Sequence, residues 1–423
     1  MAGIRKSPLG RVVTRRASEA VHDAMGDTRV VLLNGARQSG KSTLVRLVAK
    51  DLDAEWLDLD DPQALAAAHD DPSGFVDHPR TVVIDEIQRA PELLLPIKKK
   101  VDEEFRPGGF LLTGSARVLG LRALPDALPG RMETIELWPF SQGEIDDRPD
   151  GFITRLFAEP DSVTHTSAVE RREYAERIVR GGFPEAVART SARRERFFDS
   201  YVDDLLTRDI RQLADIERPA QMRSLLRLVA ARSGQLLVGN ALSNDLQLTA
   251  RSVYRYLTLL EEVFLIKRVP AWSRNISARA TGTPKVAFVD SGVAANLIGI
   301  DPHAMLRPGG MFGPLLEGFV LMELARQISW SSPRVELWHY RTKDGVEVDA
   351  VLEDRRGRVV AIEVKAASTV RADDFRGLRH LADRIGSDFL AGIVLHTGKQ
   401  SFSFGSRLRT MPVSSLWECA SER

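Results

Sequence analysis

Residues Val30–Leu44 read VVLLNGARQSGKSTL. A short apolar run, Val30 to Leu33, ends in Gly35; four residues follow, then Gly40-Lys41-Ser42, and an apolar helical pattern begins at Leu44. Strand, G-x-x-x-x-G-K-[ST] loop and helix in this order make a phosphate-binding loop. The chemistry explains the spacing. Glycines let backbone N–H groups turn inward around phosphate oxygens without a Cβ in the way. The helix start adds its positive dipole end. Gly35, Ala36, Arg37, Gln38, Ser39, Gly40, Lys41, Ser42 and Thr43 are therefore expected to cradle the phosphates. Lys41 reaches the β- and γ-phosphates, and the Ser42 hydroxyl ligates Mg²⁺. A glycine turn between any strand and helix has similar residues; the flanking strand and helix favour the nucleotide, ATP with Mg²⁺.

Working outward, TVVIDEIQ places the apolar run Val82-Val83-Ile84 just before Asp85-Glu86. In an open α/β sheet, ligand chemistry gathers at the carboxyl ends of strands. Asp85 is expected in the Mg²⁺ shell, and Glu86 is expected to polarise the attacking water. Two surface acids after a core strand are the alternative, made weaker by the upstream loop. The next apolar run, Phe110 to Leu112, ends in Thr113, Gly114 and Ser115. Thr113 and Ser115 are both candidates to contact the γ-phosphate or the lytic water, and either hydroxyl also suits a bond within its own turn. Arg131, just before the strand Thr134 to Leu137, is a candidate sensor or an arginine finger supplied in trans. A finger would imply a homo-oligomer.

Composition sets bounds. The chain has 423 residues, enough for about three domains. Its 43% apolar and 28% charged content are those of a globular protein, and a net charge of +1 provides no global field for nucleic acid. Cys419 alone permits neither an internal disulfide nor a cysteine-based zinc site, as in a reducing cytoplasm. No apolar run has the length of a membrane span. Arg5, Lys6, Arg11, Arg15 and Arg16 have no apolar core after them, unlike a signal peptide. A cytoplasmic protein with no membrane partner is expected.

The motifs NGARQSGKST, VVIDEIQ, FLLTGSAR and GRMETIELWPFSQGE, in this order, resemble the AAA-type ATPases of bacteria and archaea that carry a further C-terminal region. The resemblance continues through GGFPEA and YVDDLLTRDI and covers essentially the whole chain. It implies an α/β P-loop ATPase domain, a winged-helix segment and a nuclease-like C-terminal fold. The expected domains are 1–140 (ATPase), 141–215 (helical lid), 216–300 (winged helix-turn-helix) and 301–423 (an α/β restriction-endonuclease-like domain). Residues 9–26 are expected to be helical, and 141–170 to be loop with weak helix.

In the middle of the chain, a short helix 241–247, Thr249 as N-cap and a helix Arg251–Glu262 with Val253, Tyr256, Leu257 and Leu260 on one face describe a helix-turn-helix. Phe264 to Val269 and Lys285 to Val289 would be the wing. On DNA, Arg251, Ser252 and Arg255 would face the groove, and Lys267, Arg268 and Arg274 would contact phosphates. Winged helices also dock proteins, so DNA and protein partners both stand.

Near the C-terminus, Glu317 lies near the start of an amphipathic helix, 314–330. Three strands with tight turns at Lys343-Asp344-Gly345 and Asp354 to Gly357 follow. Asp349, 13 intervening residues and Glu363-x-Lys365 match the PD-(D/E)xK nuclease pattern, with Val348 where the motif's proline stands. Asp349 and Glu363 would bind Mg²⁺ or Mn²⁺ through hard oxygens. Lys365 would orient the water, and Glu317 would support a second ion or the water shell. A β-meander with a charged open face is the alternative. These readings combine into an ATP-hydrolysing protein acting on DNA as an ATP-regulated, Mg²⁺-dependent nuclease. The alternative is an ATP-switched DNA-binding regulator or protein adaptor whose nuclease fold is inert.

Overall fold

The structure is a computed structural model that describes residues 8–116, 128–213 and 219–420. Arg5 and Lys6 lie outside the described residues. Contacts divide the chain into two units. The first comprises the described residues of Met1–Pro139, Asp204–Asp215 and Glu262–Leu265; the second comprises those of Phe140–Asp203, Ile216–Glu261 and Ile266–Arg423.

The first unit is built on five parallel strands: β1 (Val30–Asn34), β2 (Ala54–Asp58), β3 (Thr81–Asp85), β4 (Phe110–Gly114) and β5 (Met132–Glu136). Their order is β2-β3-β4-β1-β5. Parallel strands need crossovers, and the helices that supply them cover both sheet faces. That is why the central strands are continuous apolar runs rather than alternating ones. Val30, Leu32, Val82, Ile84, Phe110 and Leu112 pack on one face, while Val31, Leu33, Val83 and Leu111 pack on the other. β4 lies between β1 and β3, so the ends of β1, β3 and β4 sit side by side at the carboxyl edge. Helix α1 runs Ala17–Asp27, shorter than the expected 9–26: Gly10 is in the left-handed region at φ +69°, and Arg15, just before the helix, bonds the phosphate loop. Helix α2, Lys41–Val48, starts at that loop.

The second unit is mixed. Residues 141–170 are more ordered than expected and contain helices Gln142–Asp146 and Phe152–Ala158. The first is closed by a capping box: Ser141 Oγ accepts from the Glu144 N–H at 3.0 Å, and Glu144 accepts from the Ser141 N–H at 3.1 Å. The Ser141-Gln142-Gly143-Glu144 signal was present in the sequence. Helices Gly239–Leu246 and Ala250–Glu262 follow, the latter with Val253, Tyr256, Leu257 and Leu260 buried as its spacing predicts. Thr249 Oγ1 accepts from the Ser252 N–H at 3.1 Å. β6 (Ile266–Val269) and β7 (Lys285–Phe288) pair antiparallel, but a helix, Ile276–Thr281, stands between them in the chain.

The last part is a six-stranded mixed sheet of β8 (Val335–Arg341), β9 (Glu347–Asp354), β10 (Val359–Lys365), β11 (Phe389–His396), β12 (Phe402–Ser403) and β13 (Leu408–Pro412), ordered β12-β13-β11-β10-β9-β8. The β8-β9-β10 meander lies where three strands were expected. Strict alternation fails in β9: Val348 and Val351, three residues apart, join one core, alongside a register shift against β8. Helix Phe312–Ile328 is buried almost all round, Glu323 and Arg326 included; these two pair at 2.9 Å. Among the described residues no helix is long and apolar enough to cross a membrane.

His339 on β8 is buried, with Nε2 donating to the Thr283 carbonyl at 2.9 Å and Nδ1 without a partner. Burial pushes its pKa down to about 4, outweighing the Thr283 bond, and Lys285 and Arg341 push the same way. The native ring therefore stays neutral, while the unfolded ring takes up a proton below ~6.5. Stability is lost as pH falls from ~6.5 towards 4, on the order of 3 kcal/mol in full. Urea midpoints at pH 7 and pH 5 should fall further in the wild type than in His339→Gln; equal falls would contradict this assignment.

Candidate functional site

The phosphate loop sits at the carboxyl end of β1 and runs into α2. A Cβ on Gly35 would lie 2.1 Å from the Leu137 carbonyl oxygen, so only glycine fits there. Gly40 has φ +98°, in the left-handed region. Lys41 is 3% exposed, and its ammonium donates to the Gly35 and Ala36 carbonyls, both at 3.0 Å. Burial pulls the Lys41 pKa below its ordinary value against the opposing pull of Glu86 and Asp85.

The acids lie beside the loop because β3 ends next to β4, and β4 next to β1. Ser42 Oγ donates to Asp85 Oδ1 at 3.2 Å. Thr113 donates to the same oxygen and accepts from the Glu86 N–H at 3.0 Å. Burial raises the Asp85 pKa, and the bonds from Thr113 and Ser42 oppose it. Glu86 has φ +59°, a strained conformation for a residue with a side chain, of the kind that collects at functional sites. Its carboxylate accepts from Ser115 Oγ at 2.8 Å and from Gln88 Nε2. Thr113 and Ser115 thus divide the work between them: one holds Asp85, the other Glu86. The glycine cradle, the buried ammonium and the Ser42–Asp85 pair fit an ATP·Mg²⁺ complex. Lys41 would meet the phosphates, and Ser42 and Asp85 would hold the metal.

Sequence reasoning missed three residues of this site. Arg15 donates to the Ser39 carbonyl at 2.8 Å and to the Trp138 carbonyl at 2.7 Å, bracing the loop from behind. Gln88 bonds Ser115 Oγ at 2.9 Å as well as Glu86. Asp209 accepts from Arg37 at 2.8 Å. Gln88 was legible within VVIDEIQ; Arg15 and Asp209 carry no local signal, since they arrive from 24 and 172 residues away.

Arg131 lies away from the phosphate loop, contrary to the sensor role expected of it. It precedes β5, and its carbonyl accepts from the Val30 N–H at 3.1 Å, at the amino end of the sheet. A five-residue strand, ~17 Å, separates it from the loop. Within its own chain it therefore does not reach this site as a sensor; its guanidinium pairs with Asp102 at the opposite edge of the sheet. Two of the expected phosphate contacts are likewise engaged: Arg268 with Glu261 and Arg274 with Asp388.

The nuclease-pattern residues do come together, but not as a metal centre. Lys285 Nζ, from β7, donates to Asp349 Oδ1 at 2.8 Å and to Glu317 Oε1. Asp349 Oδ2 accepts from the Val364 N–H at 2.8 Å. Lys365 pairs with Glu363 Oε1 at 2.9 Å, which leaves Glu363 Oε2 buried without a partner. Among the described residues no group of three or more His, Cys, Asp or Glu is arranged to hold a metal ion. The expected Mg²⁺ or Mn²⁺ ligation by Glu317, Asp349 and Glu363 therefore does not fit this arrangement: the Lys285 ammonium lies between Asp349 and Glu317 where a bridging ion would sit. Burial, then the Asp349 charge, raises Glu317 to about 8 and Glu363 to about 7. Burial lowers Lys285, but Asp349 and Glu317 outweigh it and hold it charged.

Gly35→Ala tests the loop geometry. The clash with Leu137 is expected to destabilise the first unit by about 1–3 kcal/mol in chemical denaturation and to weaken nucleotide binding. Wild-type stability would contradict the close approach.

A family model described as an AAA domain matches residues 27–146. Two described as domains of unknown function, DUF8612 and DUF4143, match 171–304 and 312–416. Uncharacterized protein Rv2008c of Mycobacterium tuberculosis is 31% identical over 358 residues, 84% of this chain and 74% of its own length. Mb2031c of Mycobacterium bovis matches to the same extent. The walker-type ATPase PABY2304 of Pyrococcus abyssi is similar at 16% identity and a TM-score of 0.41, covering 68% of this chain and 98% of its own. The chain belongs to the family of the two mycobacterial proteins, and its N-terminal part is an AAA-type P-loop ATPase domain.

Proposed function

We propose that this protein is an ATP-hydrolysing switch, with hydrolysis carried out by Glu86. The observation that carries the reading is the bonded set Ser42–Asp85–Thr113–Glu86–Ser115 beside a buried Lys41. Mg²⁺, when bound by Ser42 and Asp85, supplies charge neutralisation on the β- and γ-phosphates. Glu86 accepts a proton from water as the water oxygen attacks the γ-phosphorus and the bond to the ADP oxygen breaks. Lys41 offsets the charge on the phosphate oxygens. Thr113 fixes the Glu86 backbone, while Ser115 and Gln88 aim its carboxylate.

The output, in this reading, is an ATP-switched regulator or adaptor acting on DNA or protein. Its support is the pair of helices Gly239–Leu246 and Ala250–Glu262 followed by the antiparallel β6 and β7, an arrangement compatible with the winged helix expected at 216–300. Exposed Arg251 near the start of the second helix is compatible with a nucleic-acid contact. The boundary expected at 300/301 falls next to the 304/312 gap between two of the matched family models. A second reading, the Mg²⁺-dependent DNA nuclease, is favoured by the Glu363–Lys365 pair next to Asp349 and opposed by Lys285.

Lys41→Ala is expected to weaken ATP binding at least tenfold in a fluorescent-nucleotide titration. Glu86→Gln should keep binding and lower turnover by about 10²-fold or more; wild-type turnover in that variant would remove Glu86 from its role. Supercoiled plasmid and single-stranded DNA, incubated with Mg²⁺ or Mn²⁺ and with or without ATP, should stay intact. Cleavage that is lost in Asp349→Ala would establish the nuclease reading instead.

A further inference from the structure

We infer that Lys285 is the resident cation of the Glu317/Asp349/Glu363 cluster, a tethered ammonium in the place a divalent metal would take, so that this cluster binds no divalent ion. The inference is independent of the ATP reading, and its failure would leave that reading untouched.

Position is the first argument. Lys285 opens β7, and its side chain is 4% exposed. Its ammonium bonds one oxygen each of Glu317, from the Phe312–Ile328 helix, and Asp349, from β9. Three separate elements thus converge on one positive charge. A divalent ion bridging these two carboxylates needs oxygens at about 2.0–2.6 Å. The ammonium, 2.8 Å from Asp349, stands in that space, and the two cations exclude each other sterically and by charge.

Rigidity is the second. The Val364 N–H holds the other oxygen of Asp349, so the carboxylate is fixed at both ends. Glu317 is fenced from behind by Gly234, where an added Cβ would meet Glu317 Cβ and the Gly318 nitrogen, both at 2.9 Å. The backbone at Lys285 is tied in turn, bridged to Leu236, while the neighbouring Val286 carbonyl accepts from the Gly234 N–H at 2.7 Å. These bonds fix the backbone from which the Lys285 side chain reaches the two carboxylates.

Charge is the third. Lys285 contacts Glu317 and Asp349, and Lys365 contacts Glu363, so two ammonium groups face the three carboxylates. Lys365 belongs to the nuclease pattern itself; Lys285 is the added cation, supplying positive charge where a metal bridging Glu317 and Asp349 would supply it.

The test counts Mn²⁺ bound to the full-length, nucleotide-free protein by electron paramagnetic resonance. Wild type and Asp349→Asn should bind the same number of ions. Lys285→Met, checked for native circular dichroism, should gain an additional ion that is lost again in Lys285→Met/Asp349→Asn. A wild-type count that drops in Asp349→Asn overturns the inference, and that comparison stands even where Lys285→Met does not fold. A folded Lys285→Met with the wild-type count also overturns it.

Discussion

The ATPase site depends on the shared hydrogen bonding of Asp85. Ser42 of the phosphate-loop helix and Thr113 of β4 both donate to one of its oxygens, while the Thr113 hydroxyl also receives the Glu86 N–H. One carboxylate thereby locks the ends of three elements together. The constraint behind it is strand order. With β4 between β1 and β3, Thr113 at the end of β4 lies one strand spacing, ~4.8 Å, from Asp85, and its hydroxyl spans that gap. The two apolar faces of the sheet keep those ends in register, so packing far from the chemistry fixes its geometry.

The local strain at Glu86 fits this picture. A left-handed conformation is costly for a residue with a side chain, and it persists only where the surroundings over-determine it. Here the N–H is bonded to Thr113, and the carboxylate to Ser115 and Gln88. Reactive geometry is stored in the backbone and paid for by the hydrogen bonds around it. Arg15 does the same for the loop, holding the Ser39 carbonyl in a buried position.

The C-terminal cluster has a different character. Its residue types are those of a metal-dependent nuclease, yet a lysine has been folded into the middle of it. Buried ion pairs are costly to assemble and strongly disruptive to break, so they are weak evidence for stability and better evidence for a fixed arrangement. Lys285, Glu317 and Asp349 come from strand, helix and strand, and their junction ties β7, the long buried helix and the mixed sheet into one body.

By itself the sequence determined the elements whose signals are local. Gly35 to Thr43 announced a phosphate loop because backbone curvature and helix start are encoded within a few residues. Val82–Glu86 announced a buried strand with acids at its end. Val253, Tyr256, Leu257 and Leu260 announced a helix face by their spacing, and Ser141-x-x-Glu144 would have announced another helix start. Only the tertiary structure decided what those residues touch. Arg131 looked like a sensor by its position in the chain, but parallel strands put the amino end of β5 across the sheet from the loop. Arg15 and Asp209 reach the loop through the fold alone. Asp349, Glu363 and Lys365 carried a motif of acids and a base, and nothing local showed that Lys285, 64 residues before Asp349, would lie among them. The physical reason is the same throughout: capping, turns and periodicity act within a few residues, whereas neutralising a buried charge depends on which distant side chain folding brings to it.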